Sequence, residues 1–255
     1  MLRRTLTNYH ITAIAAALLA VMALALGSTA MFGAVMLAFL TVVGFGAAIP
    51  QLSLFGPFVC RGNVSRRCVA LTFDDGPDAR STPALLDLLR ERSVVAAFFC
   101  VGNRVVAHPG LAARIVGEGH LLENHTYSHS KATNLFSVGR LQLELARTQT
   151  VIQQATGTAP LLYRPPMGLS NPRAFRVARS LGLTVVGWSA RGLDTKITEP
   201  ERIVARIERR LEPGAIILLH DGNIPAERLI VTVKMLLDRL RTLGYDVVRL
   251  DQLLA

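Results

Sequence analysis

Two adjacent carboxylates, Asp74 and Asp75, end the apolar run Val69–Phe73. Carboxylates that close a buried strand are costly unless they bind a metal, pair with a cation or act as a base. The Asp-Gly-Pro sequence that begins here is also common turn chemistry, so an ordinary turn is the alternative interpretation. The pair is therefore a candidate for metal binding and proton transfer at the end of a strand.

Two histidines, His125 and His129, stand four positions apart in the segment HTYSH. On a helical turn this spacing puts both imidazoles on one face, where they can ligate one ion. With Asp75 they offer two imidazoles and one carboxylate, which leaves positions open for water and substrate. Two histidines at this spacing are a weak signal alone, but the set of three predicts one divalent cofactor ion. Zinc is the first choice, with cobalt, nickel or manganese as alternatives.

Three further polar clusters also follow apolar runs. Arg164 begins a proline-rich loop in which Met167 presents a backbone N–H that can face a developing oxyanion. Asp194 lies six residues after Trp188, and His220 closes a buried run where it can donate or accept a proton near neutral pH. A salt-bridging arginine in a rigid surface loop and a hydrogen-bonded structural histidine are the alternatives when each cluster is taken alone.

The elements that carry these clusters alternate between strand and helix patterns from Arg67 onward. Strands are predicted at Val69–Phe73, Val94–Val101, Leu121–Leu122, Leu161–Tyr163, Leu183–Trp188, Ala215–Leu219 and Val247–Leu250. Helices are predicted at Thr82–Arg92, Leu111–Gly117, a long segment ending near Gly157, Pro172–Leu181, Pro200–Leu211 and Ala226–Leu243. Strands that are apolar on both faces are typical of a parallel sheet, and their number favours a barrel, which places chemistry at its strand ends.

The N-terminal part of the chain carries no Asp, Glu, Lys or Arg between Arg4 and Arg61. Two apolar blocks lie there, Ile11–Leu26 and Ala30–Ile49, and the second would span about 30 Å as a helix, enough for a bilayer core. A buried helical hairpin and a cleaved signal peptide are the alternatives to a two-helix membrane anchor. The expected organisation is an anchor over residues 1–56, a linker over 57–66 and a catalytic domain over 67–255.

The composition limits the class of protein. The chain has 255 residues, and 28 Lys and Arg against 18 Asp and Glu give a net charge of +10. A mean hydropathy of +0.37 with 18% charged residues excludes a disordered protein. The basic residues are spread over helical segments such as Arg202–Arg210 without aromatic clustering, which predicts contact with a lipid bilayer and no nucleic-acid binding. The three cysteines have no metal-site spacing, and a bridge between Cys60 and Cys68 would require an oxidising compartment.

The positive charges that flank the apolar blocks predict which side of the membrane the domain faces. Arg3 and Arg4 precede the first block, and the turn between the blocks has no charge. The second block is followed by Arg61, Arg66 and Arg67. Positive residues near membrane ends stay cytoplasmic, so both flanks of the hairpin are expected inside. The sequence thus predicts a bacterial inner-membrane protein with its catalytic domain on the cytoplasmic face. Export of the domain behind a signal peptide or a single spanning helix is the alternative.

The motifs TFDDGP, HTYSH, RPPMG and LLHDG stand in one order over roughly Arg67 to Asp251. In this order they resemble the motifs of the polysaccharide deacetylase family, the carbohydrate esterase family 4 enzymes built on the NodB-homology domain. The resemblance implies an α/β fold, a distorted (β/α)7-type barrel, here preceded by a two-helix transmembrane segment. It also implies a metal-dependent hydrolase that removes N-acyl groups, acetyl or formyl, from amino sugars of a polysaccharide or a polyprenyl-linked saccharide. A metal-binding pseudoenzyme that only recognises amino sugars is the alternative.

The resemblance also implies which residues bind the metal and the substrate. Asp75, His125 and His129 would hold the ion. Met167 would lend its backbone N–H to the oxyanion, and Leu219 would line the pocket for the acyl methyl group. These roles are carried over position by position from the family motifs.

For proton transfer, the resemblance implies Asp74 as general base, Arg164 as the residue that orients it and keeps it ionised, and His220 as general acid. Family members often carry the pattern W-x-x-D-x-x-D-W near the acid. Here Arg191 stands at the first Asp position, Asp194 keeps the second, and a threonine replaces the final tryptophan. Either Asp194 or another acidic residue is therefore expected to support His220.

Overall fold

The computed structural model describes residues 7–169 and 171–255. Its strands, β1 to β8 in chain order, are Cys68–Asp74, Ala97–Cys100, Leu121–Asn124, Leu162–Tyr163, Thr184–Val185, Ala190–Arg191, Ala215–His220 and Asp246–Val247. They form one parallel sheet in the order β5-β4-β3-β2-β1-β7-β6, and β8 pairs with the start of β1. The sheet curls into an open barrel whose two end strands are β5 and β6, which confirms the predicted α/β barrel fold.

The helices, α1 to α10 in chain order, pack around this sheet or precede it. They are Asn8–Ala25, Thr29–Ala48, Thr82–Glu91, Gly102–Ala107, Pro109–Gly117, Val138–Thr156, Pro172–Ser180, Pro200–Glu208, Ala226–Thr242 and Leu250–Leu254. Most follow the predicted bounds within a few residues, and α6 ends where Gly157 adopts a left-handed conformation with φ 74°. The helix α4 was not predicted, and the last predicted strand ends early because Leu250 begins α10.

Alternation along β1 decides which residues face the interior of the barrel. Val69, Leu71 and Phe73 pack in the layer between the sheet and the surrounding helices. Thr72 and Asp74 alternate with them, and all seven residues of the strand are buried. Because neighbouring side chains of a strand point to opposite faces, Asp74 lies on the inner face at the carboxyl end of β1.

The helices α1 and α2 form a hairpin whose surface is almost wholly exposed. By length and composition both helices are apolar enough to cross a membrane, with mean hydropathies of 1.7 and 2.1. Ser28 caps α2 by accepting a hydrogen bond from the Met31 backbone N–H. This exposure argues against the buried helical hairpin and leaves a membrane anchor and a signal sequence as the two interpretations. Arg3 and Arg4, on which the orientation prediction depends, lie outside the described residues.

The base of this hairpin contacts the barrel through the segment that follows α2. The Tyr9 backbone N–H donates to the Leu54 carbonyl at 2.9 Å, and the Tyr9 ring lies 5.4 Å from the Phe55 ring. The Gln51 side-chain amide donates to the Trp188 carbonyl, also at 2.9 Å. The hairpin therefore has a defined attachment to the open side of the barrel.

Candidate metal and proton-transfer site

The register of the parallel strands brings the residues of the candidate site together. Asp74 of β1 is the partner of His220 in β7 and of Phe99 in β2. His125 follows directly after β3, and Arg164 follows directly after β4. Since all these strands are parallel, their carboxyl ends meet at one edge of the barrel, as the polar clusters predict.

Arg164 holds Asp74 in a single orientation. Its Nη1 donates to Asp74 Oδ1 at 2.7 Å and to Thr72 Oγ1 at 2.8 Å, and its Nη2 donates to the Gly187 carbonyl. The guanidinium is fully buried and lies 4.0 Å from the centre of the Phe99 ring. Burial lowers the pKa of Arg164, and the charge of Asp74 opposes that shift. One carboxylate oxygen, Asp74 Oδ2, is left free of the arginine and can serve as a base.

Asp75, His125 and His129 converge on one point beside this carboxylate. The Asp75 Oδ1 atom lies 3.4 Å from His125 Nε2 and 3.1 Å from His129 Nε2. One donor atom from each residue lies within 4.8 Å of the other two. Two imidazole nitrogens and one carboxylate oxygen are a common donor set for a catalytic divalent ion with open positions.

The protonation pattern of these residues fits metal ligation. His125 Nδ1 lies 2.7 Å from the Arg164 carbonyl, which can only accept, so this nitrogen carries the proton and Nε2 presents its lone pair. Burial, with the nearby charge of His125, lowers the pKa of His129 and favours its neutral form. Burial alone would raise the pKa of Asp75, but when the imidazoles are protonated, the hydrogen bond from His125 and the charges of both histidines hold that pKa well below its usual range. A metal ion that binds here would take the place of these protons. Neutral imidazoles and an ionised carboxylate are the forms that bind a metal.

The two histidines do not lie on a helix, and this part of the sequence interpretation is wrong. Thr126 and His129 both have left-handed backbone conformations, with φ of 66° and 48°, in an irregular loop after β3. The two side chains reach one point because these left-handed residues bend the loop. A strained loop in place of a helical turn is typical of functional sites.

Glu144 on α6 holds this loop, and sequence reasoning did not find it. One of its carboxylate oxygens accepts hydrogen bonds from the backbone N–H groups of Tyr127 at 3.0 Å and Ser128 at 2.8 Å. The other accepts from the Ser128 hydroxyl at 2.9 Å. No local signal pointed to Glu144, because the contact spans sixteen residues or more.

Asn223 is a second residue that sequence reasoning missed. Its side-chain amide nitrogen lies 3.5 Å from Asp75 Oδ2, the oxygen turned away from the histidines. Its own oxygen accepts a hydrogen bond from Arg104 at 2.6 Å. Asn223 therefore restrains the Asp75 carboxylate from behind, and its position three residues after His220 was the available signal.

His220 is bound by Asp194 through two hydrogen bonds. Its Nδ1 donates to Asp194 Oδ1 at 2.9 Å, and its backbone N–H donates to Asp194 Oδ2 at 2.7 Å. Burial lowers the pKa of His220, but the Asp194 hydrogen bond and the charges of Asp194, Asp74 and Asp75 outweigh it and raise this pKa to about 9. Asp194 thus contacts His220 although Arg191 occupies the first acidic position of the motif, and the imidazole is protonated at neutral pH.

We expect the Asp194→Asn variant to lose activity at a lower pH than the wild type. The Asp194 charge stabilises the protonated imidazole, so its removal lowers the pKa of His220, and the alkaline limb of the kcat profile moves about 1–3 pH units toward neutral. The measurement is kcat against pH, with Asp246→Asn on the exposed end of β8 as matched control. An alkaline limb at the same pH in both variants would remove Asp194 from the site.

Met167 lies in a tight turn with its backbone in the left-handed region, φ 58°. Among the described residues, its backbone N–H makes no hydrogen bond to a backbone carbonyl outside this turn. The next residue, Gly168, packs so closely against Trp188 that an added Cβ would lie 2.2 Å from the ring. The loop is therefore fixed by this contact, and it keeps one N–H available for a substrate oxygen.

The structure does not bring the Leu219 side chain to the site. Leu219 packs in the outer layer with Ile203 and Ile207 of α8, as its alternation with His220 along β7 requires. Leu218 lies two residues before His220, on the inner face beside Trp188. The expectation for Leu219 fails because a shift of one residue moves a side chain to the other face of a strand. Counting back by two from His220 would have indicated Leu218.

All three cysteines are free thiols, and Cys68 and Cys100 are buried. The bridge between Cys60 and Cys68 that an oxidising compartment would allow is therefore not formed. Burial raises the pKa of Cys60 to about 11, against the hydrogen bond from the Trp188 backbone, so this thiol is not a nucleophile at neutral pH.

This chain is similar to one protein-family model and to several known proteins. Residues 61–186 match the family model described as "Polysaccharide deacetylase". A peptidoglycan-N-acetylglucosamine deacetylase of Bacillus cereus is 34% identical over 192 residues, which cover 74% of this chain and 89% of that protein. A peptidoglycan-N-acetylglucosamine deacetylase of Listeria monocytogenes is 33% identical, but the match spans only 41% of its length.

One similar solved structure is described as a pseudoenzyme. It is a CE4 family protein from Bacillus anthracis that is 26% identical to this chain, with a TM-score of 0.72. The match covers 78% of this chain and 69% of the other. Similarity of fold alone therefore does not decide whether a chain of this shape turns over a substrate, and the side chains must decide.

Proposed function

The chain belongs to the polysaccharide deacetylase family, hydrolases of carbon–nitrogen bonds, and on that premise we propose that it is metal-dependent and removes N-acetyl or N-formyl groups from amino sugars. The substrate is a polysaccharide such as peptidoglycan, or a polyprenyl-linked saccharide, at the membrane. One observation carries the proposal. An arginine-held carboxylate, a three-donor cluster and a carboxylate-bound imidazole meet at one edge of the barrel, at Asp74, Asp75 and His220.

In this proposal Asp75, His125 and His129 hold the metal, and zinc fits their donor set, with cobalt, nickel or manganese as alternatives. The chemistry that such an ion supplies when bound is polarisation of the acyl carbonyl and activation of water. Asn223 and the Arg164 carbonyl orient two of the three ligands from behind. Such supporting contacts set ligand geometry and affinity.

The proton transfers follow from the hydrogen bonds of the two flanking groups. Asp74 Oδ2 removes a proton from the attacking water as its oxygen adds to the acyl carbon. The Met167 N–H stabilises the negative charge that develops on the carbonyl oxygen. His220, protonated at neutral pH, then donates to the amine nitrogen as the C–N bond breaks. The products are a carboxylic acid and an amino sugar, so atoms and charges balance.

A pseudoenzyme that binds amino sugars is the second candidate, since one similar structure carries that description. An activity assay separates the enzyme from the pseudoenzyme. It measures the release of acetate or formate from N-acylated chitooligosaccharides and peptidoglycan fragments, with each metal added back. We expect turnover, with His220→Ala slower by about 10²–10⁴-fold. Metal and sugar binding without release of acid by the wild type would favour the pseudoenzyme.

We also propose that residues 1–56 form a two-helix membrane anchor, with residues 57–66 as linker and residues 67–255 as the catalytic domain. The supporting observation is the exposed apolar surface of α1 and α2. Both flanks of the hairpin would then lie in the cytoplasm, which suits the free thiols of the domain.

Reporter proteins fused after Arg67 test on which side of the membrane the catalytic domain lies. We expect a bright green fluorescent protein fusion and an inactive alkaline phosphatase fusion. The opposite pattern would place the domain outside and favour a finished wall or capsule polymer as substrate.

A further inference from the structure

Asp221 is a buried carboxylate at the end of β7 that the proposed reaction does not use. It follows His220 directly, its side chain is fully buried, and among the described residues its Oδ1 atom has no hydrogen-bond partner. Burial raises the pKa of Asp221 to about 7 against the hydrogen bond from Thr82, and the charges of Asp75 and Asp74 add to this rise. A carboxylate in such surroundings destabilises the folded chain unless its contacts offset the loss of hydration.

Gly76, the residue after the proposed metal ligand Asp75, lies directly against the Asp221 carboxylate. A Cβ atom added to Gly76 would overlap both carboxylate oxygens of Asp221. The backbone of Gly76 is not in the left-handed region, so the lack of space, and not the backbone conformation, requires glycine here. The carboxylate of the motif LLHDG thus fits against the glycine of the motif TFDDGP.

Hydrogen bonds close the rest of this turn over Asp221. The Thr82 hydroxyl donates to Asp221 Oδ2 at 2.6 Å and accepts from the Asp78 backbone N–H at 2.8 Å. The Ser81 hydroxyl donates to the Asp221 carbonyl. The chain between Asp75 and α3 is therefore attached to Asp221 at Gly76 and again at the start of the helix.

The backbone on the other side of Asp75 is held by the same part of the chain. The backbone N–H groups of Asp221 and Gly222 donate to the Asp74 carbonyl at 3.1 Å and 3.4 Å. Between these attachments, Asp75 has a left-handed backbone conformation with φ 74°, which is unfavourable for a residue other than glycine. Such a conformation persists only where the surrounding structure fixes it.

A simpler explanation accounts for only part of these contacts. Ser81 precedes α3 and Thr82 is its first residue, so their hydroxyls attach the start of this helix to β7. An attached helix does not explain the close fit of the carboxylate against Gly76. It also does not explain why the hydrogen bonds to the Asp74 carbonyl come from the same two residues.

We propose that Asp221 is a positioning residue that fixes the backbone of Asp75 and so aims the Asp75 carboxylate at His125 and His129. It acts through the Gly76 backbone and Thr82, and it does not touch the ion or the substrate. The inference rests on the proposed function, because it takes Asp75 as a metal ligand. Its consequence is that Asp221 sets the affinity of the site for the ion.

The first measurement is zinc affinity, which does not depend on catalysis. Zinc is titrated into the full chain in neutral detergent micelles, in competition with a chelator of known affinity. Asp221→Ala should weaken zinc binding at least about 10-fold, the lower end of what contacts behind a metal ligand contribute. Asp221→Asn keeps the shape and the acceptor for the Thr82 hydroxyl, so it should bind zinc as the wild type does.

A matched control separates positioning from general stability. Leu240→Ala removes a buried side chain near the end of α9, which leads to β8 at the opposite edge of the sheet. It should lower thermal stability and leave zinc affinity unchanged. Asp221→Ala would be a merely structural change if it behaved in the same way, and that result would overturn the proposal.

The fit between Gly76 and Asp221 is tested by combining two changes. Gly76→Ala in the wild type pushes a methyl group into the carboxylate and should weaken zinc binding at least about 10-fold. In the Asp221→Ala background the methyl group has room, so the same change should weaken binding no further. Additive effects in the double variant would show that the two positions are not coupled and would overturn the proposal.

Thr82 provides a smaller change that tests the same link if Asp221→Ala does not fold. Thr82→Val removes the hydroxyl that joins Asp221 to the turn and should weaken zinc binding, whereas Thr82→Ser keeps the hydroxyl and should not. Equal zinc affinity in both Thr82 variants would count against the proposal.

Hydrogen exchange of the backbone amides in residues 75–82 provides a readout without metal. We expect faster exchange in this segment for Asp221→Ala than for the wild type or Leu240→Ala. If the wild type binds no zinc and this difference is present, the proposed function fails and the positioning of the turn by Asp221 stands. If the wild type binds zinc and Asp221→Ala changes neither exchange nor affinity, the positioning role is overturned and the proposed function stands.

Discussion

Replacement of Asp74 by asparagine should lower kcat by about 10⁴-fold, the upper end of what a positioned proton-transfer group contributes. The amide keeps the shape of the side chain and can still accept the 2.7 Å hydrogen bond from Arg164, but it cannot take a proton from water. The three proposed metal ligands are unchanged, so metal content should equal that of the wild type. Release of acetate and metal content per folded chain are the two measurements.

The fold must be checked in the same variant because Arg164 is fully buried. Removal of one partner of a buried ion pair costs about 3–5 kcal/mol of unfolding free energy, and the retained hydrogen bond should keep the loss below that range. Asp78→Asn makes the same change four residues later, on a carboxylate that faces Arg80 and Arg104. This control should retain activity, and a similar loss in both variants would show that Asp74 is not the base.

Replacement of His125 by alanine should weaken metal binding by more than about 10²-fold and abolish activity with it. The change removes one of three donor atoms and leaves the Arg164 carbonyl without its imidazole partner. Metal content is measured after dialysis of wild type and variant against the same free metal concentration. Activity should return only at metal concentrations far above those that saturate the wild type.

A second buried imidazole provides the control for this experiment. His120 is 4% exposed and accepts a hydrogen bond from the Ala96 backbone N–H, but it lies outside the three-donor cluster. His120→Ala should therefore retain its metal, even if the loss of packing lowers its thermal stability. Equal metal retention by His125→Ala would contradict the assignment of the site.

Much of the fold follows from local patterns in the sequence. The apolar run Val69–Phe73 and the two carboxylates after it predict a buried strand with chemistry at its end, and β1 has that form. Pro172 and Gly157 mark a helix start and a helix end where the structure has them. Such features are set by residues a few positions apart, so a linear pattern contains them.

Long-range packing decided the features that the sequence interpretation missed. His125 and His129 meet in a loop because Glu144, far along the chain, binds the backbone between them. Leu218 and not Leu219 faces inward because the sheet register fixes the phase of β7. No periodicity within a single segment contains either fact.

The sequence by itself determined the types of group available for chemistry and the order in which they occur. It identified Asp74, Asp75 and His220 as residues that end strands, because a carboxylate or imidazole after an apolar run stands out locally. The tertiary structure alone decided which of them touch: Asp194 contacts His220, and Arg164 contacts Asp74. The reason is physical. Contacts between residues far apart in the chain depend on how strands register and helices pack, and these are properties of the whole folded chain.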